Sequence, residues 1–397
     1  MLNEKVIVTG TGCALADFLY TGVRFTSRGF KRYLSKRSGD GGLSAGKLVF
    51  TEEFEHFTGK PYAETLKELT GKSAHDSFNI GGPGIVPMIH AAQLLEEKHY
   101  SVKFYGSLGM DDVAQRIVDT VSKTPLDIGN YRRCSNKPTP FTHVFSDPGY
   151  DHGHGERTFV NNIGAAWDFL PDMLPEDFFQ TDITCFGGTA LVPAIHDELT
   201  ALLLKAKQQK CITLVNTVFD FRNEKLHPGE PWPLGNSDET YNLTDVLIMD
   251  QEEALKISGK DSLEEALDYF IRKEVSSFFI TNGAKDLVAY SDGRLFEKTP
   301  PVFFPVSRKV TKDLRKQGDT TGCGDNFAGG IISSIAKQIR KKLPGTFNLN
   351  EAVTLAVASG AFACTYLGGM YLESRNGEKR QRIEEFLADY RSQIAMK

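Results

Sequence analysis

Along much of the chain, short apolar runs alternate with longer segments whose apolar residues recur every three or four positions. Residues 6–8, 101–106, 182–186, 211–216, 244–249 and 276–281 form compact, often β-branched runs and read as buried strands. Between and after them, helical spacing covers 111–122, 194–209, 252–258, 263–272, 324–342, 350–367 and 380–396. A further helix opens after Gly81 and Gly82 and runs to about residue 97. Pro83 suits its first turn, whereas Pro87 demands a late start or a kink. Strands alternating with helices predict an α/β fold: a mainly parallel, doubly wound sheet with helices on both faces, in three layers.

Two stretches break the rhythm. Residues 131–134, 142–145 and 157–160 read as strands without helices between them, with turns at Pro148, Gly149, Gly153 and Gly155, and so predict a small antiparallel sheet over a site. Residues 24–77 are mixed and polar and read as loops, short strands and a small helix. Segments 287–291 and 294–299 flank Asp292 and Gly293 as a hairpin. No repeat or low-complexity linker divides the chain. The expectation is one domain over 1–397, with lid elements within 18–50 and 131–160.

The 397 residues, 40% hydrophobic and 24% charged, suit an ordinary globular protein. A net charge of −5 speaks against a nucleic-acid partner. The six cysteines show no metal or disulfide spacing, which predicts a reducing, cytoplasmic setting. The N-terminus reads as a first strand, and no run is long enough to span a membrane.

Residues 318–330 carry the chemistry. Gly322 and Gly324 bracket Cys323 in a loop that runs straight into an apolar helix. Unpaired N–H groups and the dipole of a helix start attract anions, and glycines let backbone approach a phosphate. Asp325 at that point reads either as a helix cap or as the base that a phosphoryl transfer to an alcohol needs.

The run Asp319, Thr320, Thr321, Gly322, Cys323, Gly324, Asp325, Asn326, Phe327 resembles the D-T-x-G-A-G-D-x-F signature of the ribokinase-like (PfkB) carbohydrate kinases, with cysteine in place of alanine. The resemblance implies Asp325 as catalytic base and the amides of Gly322, Cys323 and Gly324 as an anion hole. It extends in order along the chain. Gly81 and Gly82 resemble the di-glycine of the first signature, and Asp17 falls where the family holds substrate hydroxyls. Asp250 and Glu253 stand in the N-x-x-E position linked to magnesium and phosphate. Thr281 and Gly283 resemble the T-x-G turn which, with Thr321, lies near the nucleotide. Residues 155–158 resemble the returning lid strand. The resemblance implies ATP and Mg²⁺ as cofactors, a small-molecule sugar or nucleoside as acceptor, and a possible homodimer paired through lids. A sugar is the favoured acceptor, because likeness to the adenosine-kinase-like branch is looser. A non-catalytic binding protein that kept the fold is the alternative from another class.

Departures gather on the substrate side: Val86 replaces a usual asparagine, Pro83 and Pro87 are unusual, and residues 216–222 match a strand-end motif loosely. Asn79, Val86 and Pro87 are expected to shape acceptor choice. Gly41 to Lys47 nearly matches a P-loop, but Leu48 brings no hydroxyl for magnesium. Cys323, at a helix start, lies where thiols ionise more readily.

Overall fold

The computed structural model describes residues 5–37, 39–71, 74–153, 156–313, 320–341 and 345–395. Gly155, Gly318, Asp319, Lys342 and Met396, expected in the lid, the glycine loop and the helix ends, lie outside the described residues. The strands are β1 (Val6–Gly12), β2 (Leu15–Thr21), β3 (Leu48–Phe50), β4 (Ser77–Gly81), β5 (Tyr100–Gly109), β6 (Asp127–Ser135) and β7 (Phe141–Asp147). They continue as β8 (Glu156–Asn162), β9 (Ile183–Gly187), β10 (Ile212–Asn216), β11 (Val246–Asp250), β12 (Ser277–Asn282), β13 (Lys285–Ser291) and β14 (Thr299–Phe304).

Two sheets result. The larger has the order β14-β13-β12-β11-β10-β9-β1-β5-β6 and is parallel from β12 through β6, with β13 and β14 antiparallel at one edge. Its interior strands are apolar on both faces. Val246, Ile248 and Phe279 enter one core, and Leu247, Met249, Phe278 and Ile280 the other. Helices Ile85–Leu94, Cys323–Lys341 and Leu349–Ala363 lie in the first layer, and Leu199–Gln208, Gln251–Ser258 and Leu263–Arg272 in the second. This is the predicted three-layer α/β architecture. No helix among the described residues is long and apolar enough to cross a membrane.

The smaller sheet has the order β3-β8-β7-β2-β4. Ala16, Phe18, Tyr20 and Phe145 on one face are buried. Helices Thr51–Thr58 and Tyr62–Thr70 close over that face, with Tyr62 stacked on His143 and its hydroxyl 2.7 Å from the imidazole Nδ1. Asp17 lies on the opposite face.

Several local expectations need correction. Residues 131–134 belong to β6 at the edge of the large sheet, parallel to β5, because Tyr131 packs its ring on Phe104 in the core. A run of alternating residues does not name its partner. The hairpin's return strand is β14 rather than 294–299, since Phe296 turns fully into the core. Pro300 and Pro301 are tolerated because β14 is an edge strand. Residues 24–77 hold two regular helices, each closed by a left-handed glycine, Gly59 and Gly71. The helix expected over 194–209 breaks at Glu198 into Pro193–Asp197 and Leu199–Gln208. Pro87 is met by a late start: it is the third residue of Ile85–Leu94, in the first turn, and the Pro83 carbonyl that an N–H there would reach accepts from Asn216 instead. Lys47 leads into a strand rather than a helix, so the P-loop likeness has no structural counterpart.

Candidate active site

The parallel strands end in one crevice, the usual place for ligands in an open α/β sheet. Gly12, Gly187, Asn216 and Asp250 mark those ends. Helix Cys323–Lys341 starts beside them, so Asp325 is its third residue and lies inside the first turn rather than at the cap. Burial pushes its carboxyl up from 3.8 to about 7, and a hydrogen bond with the Asn216 side chain pulls it back only in part. Asn216 also donates to the Pro83 carbonyl at 3.3 Å, which ties the end of β10 to the di-glycine turn.

Gly322 has φ of +74°, and a Cβ there would fall 2.5 Å from Gly369 Cα. Only glycine fits. The Cys323 N–H closes a turn onto the Thr320 carbonyl at 3.3 Å, while Gly324 is exposed with open space around it. Of the three amides expected to form the anion hole, Cys323's is therefore partly committed to the chain. From β8, Arg157 donates to Thr321 Oγ1, and to Thr320 Oγ1 at 3.4 Å. A guanidinium from the small sheet thus touches the loop that opens the helix.

Behind the loop, the buried Asn326 side chain donates to the carbonyls of Gly322 (2.8 Å) and Gly369 (2.9 Å). Its Oδ1 accepts from Lys379 Nζ at 3.0 Å and from the Tyr366 hydroxyl at 3.2 Å, and lies 2.6 Å from His90 Nδ1. Lys379 is 1% exposed, and its ammonium reaches Asn326 and the Gln93 amide oxygen. Burial lowers the pKa of that ammonium to about 7.

On the other wall, Asp17 on β2 pairs in register with Asn79 on β4 and Thr142 on β7. A Cβ on Gly81 would fall 2.2 Å from Asp17 Oδ2, and one on Gly82, whose φ is +108°, 2.5 Å from the Cys13 carbonyl. Cys13 lies within the fields of Asp325 and Asp17, which add to burial in pushing its thiol up. Both carboxylates therefore lie close enough to Cys13 for their charge to be felt there. Asn161 donates to Thr142 Oγ1 at 2.8 Å, while its own buried Oδ1 has no hydrogen-bond partner. Asn79 shares the face of Asp17, but its amide is engaged elsewhere, and Val86 is packed away. Asn79 is spent on Leu367 and Met370 backbone, and Val86 is 1% exposed in the core.

Asp250 and Glu253 join in a reciprocal cap on helix Gln251–Ser258. Asp250 Oδ1 accepts the Glu253 N–H at 2.8 Å, and Glu253 Oε2 accepts the Asp250 N–H at 3.0 Å. Thr217 Oγ1 donates to the same Glu253 oxygen at 2.6 Å. Burial raises both carboxyls, and the charges of Asp250 and Asp325 raise Glu253 further. Thr281 is the register partner of Asp250 on β12, and Gly283 forms an exposed turn just beyond. The described residues contain no cluster of three metal-ligating side chains. A cation that keeps most of its waters, as Mg²⁺ does, needs no such cluster, and the Asp250 and Glu253 carboxyls, raised by burial and by neighbouring charge, would ionise more readily beside one.

The structure thus gathers Asp17, Gly81, Gly82, Asp250, Glu253, Gly322, Cys323, Gly324 and Asp325 around one crevice, with Thr281 and Gly283 beyond Asp250 and Thr321 beside Arg157. The sequence reading missed the parts of Arg157, as a side chain, and of Asn161. The period-two alternation of 157, 159 and 161 would have placed both on one face, but nothing in it says what that face meets.

Comparison with known proteins places the fold and the family. A pfkB family carbohydrate kinase model matches residues 54–375. Adenosine kinase 2 of Arabidopsis thaliana is 25% identical over 271 residues, 65% of this chain and 73% of that protein. A ribokinase of Haemophilus influenzae is 22% identical over 343 residues, 84% of this chain and 95% of that one. The crystal structure of adenosine kinase from Sinorhizobium meliloti superposes with a TM-score of 0.67 at 17% identity, covering 96% of this chain and 99% of that one. The chain belongs to the pfkB family of carbohydrate kinases.

Proposed function

We propose that this protein transfers a phosphoryl group from ATP to a hydroxyl of a sugar, taken either free or as the sugar of a nucleoside, with Asp325 as general base. The observation that carries the reading is the pairing of Asp325 with Asp17. One carboxyl is held near neutrality in the first turn of a helix. The other lies on the small-sheet wall, and the charges of both raise the Cys13 thiol.

The acceptor is bound by Asp17, by backbone at Gly81 and Gly82, and by the unsatisfied Asn161 oxygen, which suits a vicinal hydroxyl pair. Asp325 accepts the proton of the attacking hydroxyl. A base with pKa about 7 is largely ionised at physiological pH yet still holds the proton well. The Gly322 and Gly324 backbone and the Arg157 guanidinium offset the charge of the transferring group. Asp250 and Glu253 would hold Mg²⁺, which neutralises phosphate charge when bound with the nucleotide. The small sheet serves as a lid that excludes water, the competing acceptor. The adenosine kinases among its relatives support the nucleoside form of the acceptor, and the ribokinase supports the free sugar.

The test is ADP release from Mg²⁺-ATP across a panel of pentoses, hexoses, sugar acids and nucleosides, with Asp17→Asn beside the wild type. One acceptor class should be turned over, and the variant should raise its KM tenfold or more. Silence across the panel, with ATP still bound, would move the protein to a non-catalytic role.

A further inference from the structure

Cys323 stands where the family signature has alanine, and it does not stand alone. Cys364, 41 positions later, brings its sulfur to 3.0 Å from that of Cys323. The approach is built by two helices. Cys323 opens Cys323–Lys341, and Cys364 caps the C-terminus of Leu349–Ala363. Gly360 lets the helices close at this end: a Cβ there would lie 3.1 Å from the Cys323 carbonyl. Both residues are partly exposed, whereas Cys13, Cys185 and Cys211 are buried at 3%, 4% and 1%. A fully buried thiol is inert, and a partly exposed sulfur at a helix start is the reactive kind.

We propose that Cys323 and Cys364 form an oxidisable dithiol, a modification site for a hydroperoxide, and that their disulfide shuts the phosphoryl-transfer site. The second half rests on the kinase reading. The Cys323 sulfur attacks the peroxide O–O bond. That bond breaks, water leaves in the case of hydrogen peroxide, and Cys323 becomes a sulfenic acid. The Cys364 sulfur then attacks the Cys323 sulfur and expels a second water. Two thiols lose two protons and two electrons, and one peroxide is reduced to two waters. A dithiol reductant reverses the change by exchange.

Closure to a bond of about 2.05 Å draws the sulfurs roughly 1 Å nearer. The loop has little room to absorb this. Gly322 already lies against Gly369, and Asn326 clamps the carbonyls of both. The displacement therefore falls on the first turn, where Gly324 and Asp325 lie. Misplacing catalytic groups by about 1 Å costs on the order of 10²-fold in rate.

The test uses the full chain, reduced and then treated with hydrogen peroxide. Peptide mass spectrometry should find a Cys323–Cys364 link, two hydrogens lighter than the pair. ADP release with the best acceptor should fall at least tenfold and return with dithiothreitol. Cys364→Ser should keep basal turnover and lose the reversible inactivation. Absence of the linked peptide, or a link with unchanged turnover, would overturn the proposal. If no acceptor is turned over at all, the kinase reading fails separately. The link is still read by mass and its effect by the rise in Tm on adding ATP. Loss of that rise on oxidation supports the proposal, and its persistence refutes it.

Discussion

Asp325→Asn keeps the shape of the side chain and removes its charge, and the structure sets the size of the effect. Burial lifts the carboxyl from 3.8 to about 7. At 1.36 kcal/mol per pH unit, three units place roughly 4 kcal/mol between the charged and neutral forms in the folded state. Solvent reaching the partly exposed carboxyl reduces this, and about 2 kcal/mol is the working figure. The unfolded chain ionises near 3.8 and the folded chain near 7, so between these values the folded state holds the extra proton. Wild-type stability therefore falls as pH rises from about 4 to about 7, and then levels. The variant lacks this penalty. It should melt higher than wild type at pH 8, by roughly 2–3 °C for a chain of this length, with the gap closing at pH 4. In turnover the same substitution should cost about 10²-fold or more, the range of a general base. Wild-type log kcat should rise with unit slope up to pH about 7 and then flatten. Calorimetry at the two pH values and an ADP-release profile read these effects. Wild-type turnover in the variant, or an equal Tm gap at pH 4 and pH 8, would refute the reasoning.

Other perturbations separate the remaining parts of the site. Glu253→Gln removes one of the two mutually repelling carboxylates, and should raise the Mg²⁺ needed for half-maximal ADP release tenfold or more with little change in acceptor KM; an unchanged Mg²⁺ curve would remove Glu253 from cation handling. Arg157→Ala cuts the bridge from β8 to Thr320 and Thr321, and should lower kcat at least tenfold while lysine at 157 restores part of it. Equal loss in both variants would mean that the fork geometry matters, and no loss would mean that Arg157 does not face the phosphoryl group. Lys379→Met replaces a buried ammonium whose pKa is lowered to about 7 by burial. The unfolded lysine keeps its proton up to about 10.4, so wild-type stability should climb as pH rises from about 7 towards 10. Urea melts of the variant at pH 7 and 9.5 should lack this lysine's share of the climb, and an identical pH response in both proteins would show that Lys379 keeps its charge.

Local physics made much of this protein readable from its residues. Continuous apolar runs mark strands buried on both faces, and β11 and β12 lie within two residues of their predicted limits. The glycine loop running into an apolar helix marks an anion-seeking helix start, because chain direction alone decides where unpaired N–H groups point. What pairs with what was not readable in the same way. Strand β6 has the same alternation as a lid strand yet joins the large sheet, and β14 carries two prolines yet closes the hairpin, since pairing is decided by which ring or edge a strand meets. The helices over 51–70 cover the small sheet for the same reason: their apolar stripes are visible, but the surface they seek is not.

The chemistry divides along the same line. Sequence by itself marked Asp325 and the Gly322–Gly324 loop as candidates, because they belong to one short segment at a helix start, and family resemblance added Asp250 and Glu253. Only the tertiary structure decided that Asp17 and Asp325 both come near Cys13, that Arg157 reaches Thr321 from another sheet, and that Cys364 meets Cys323. It also decided that a buried lysine stands behind the loop. Burial and the field of distant charges set how a carboxyl, a thiol or an ammonium behaves, and both depend on segments far apart in the chain that meet only when it folds.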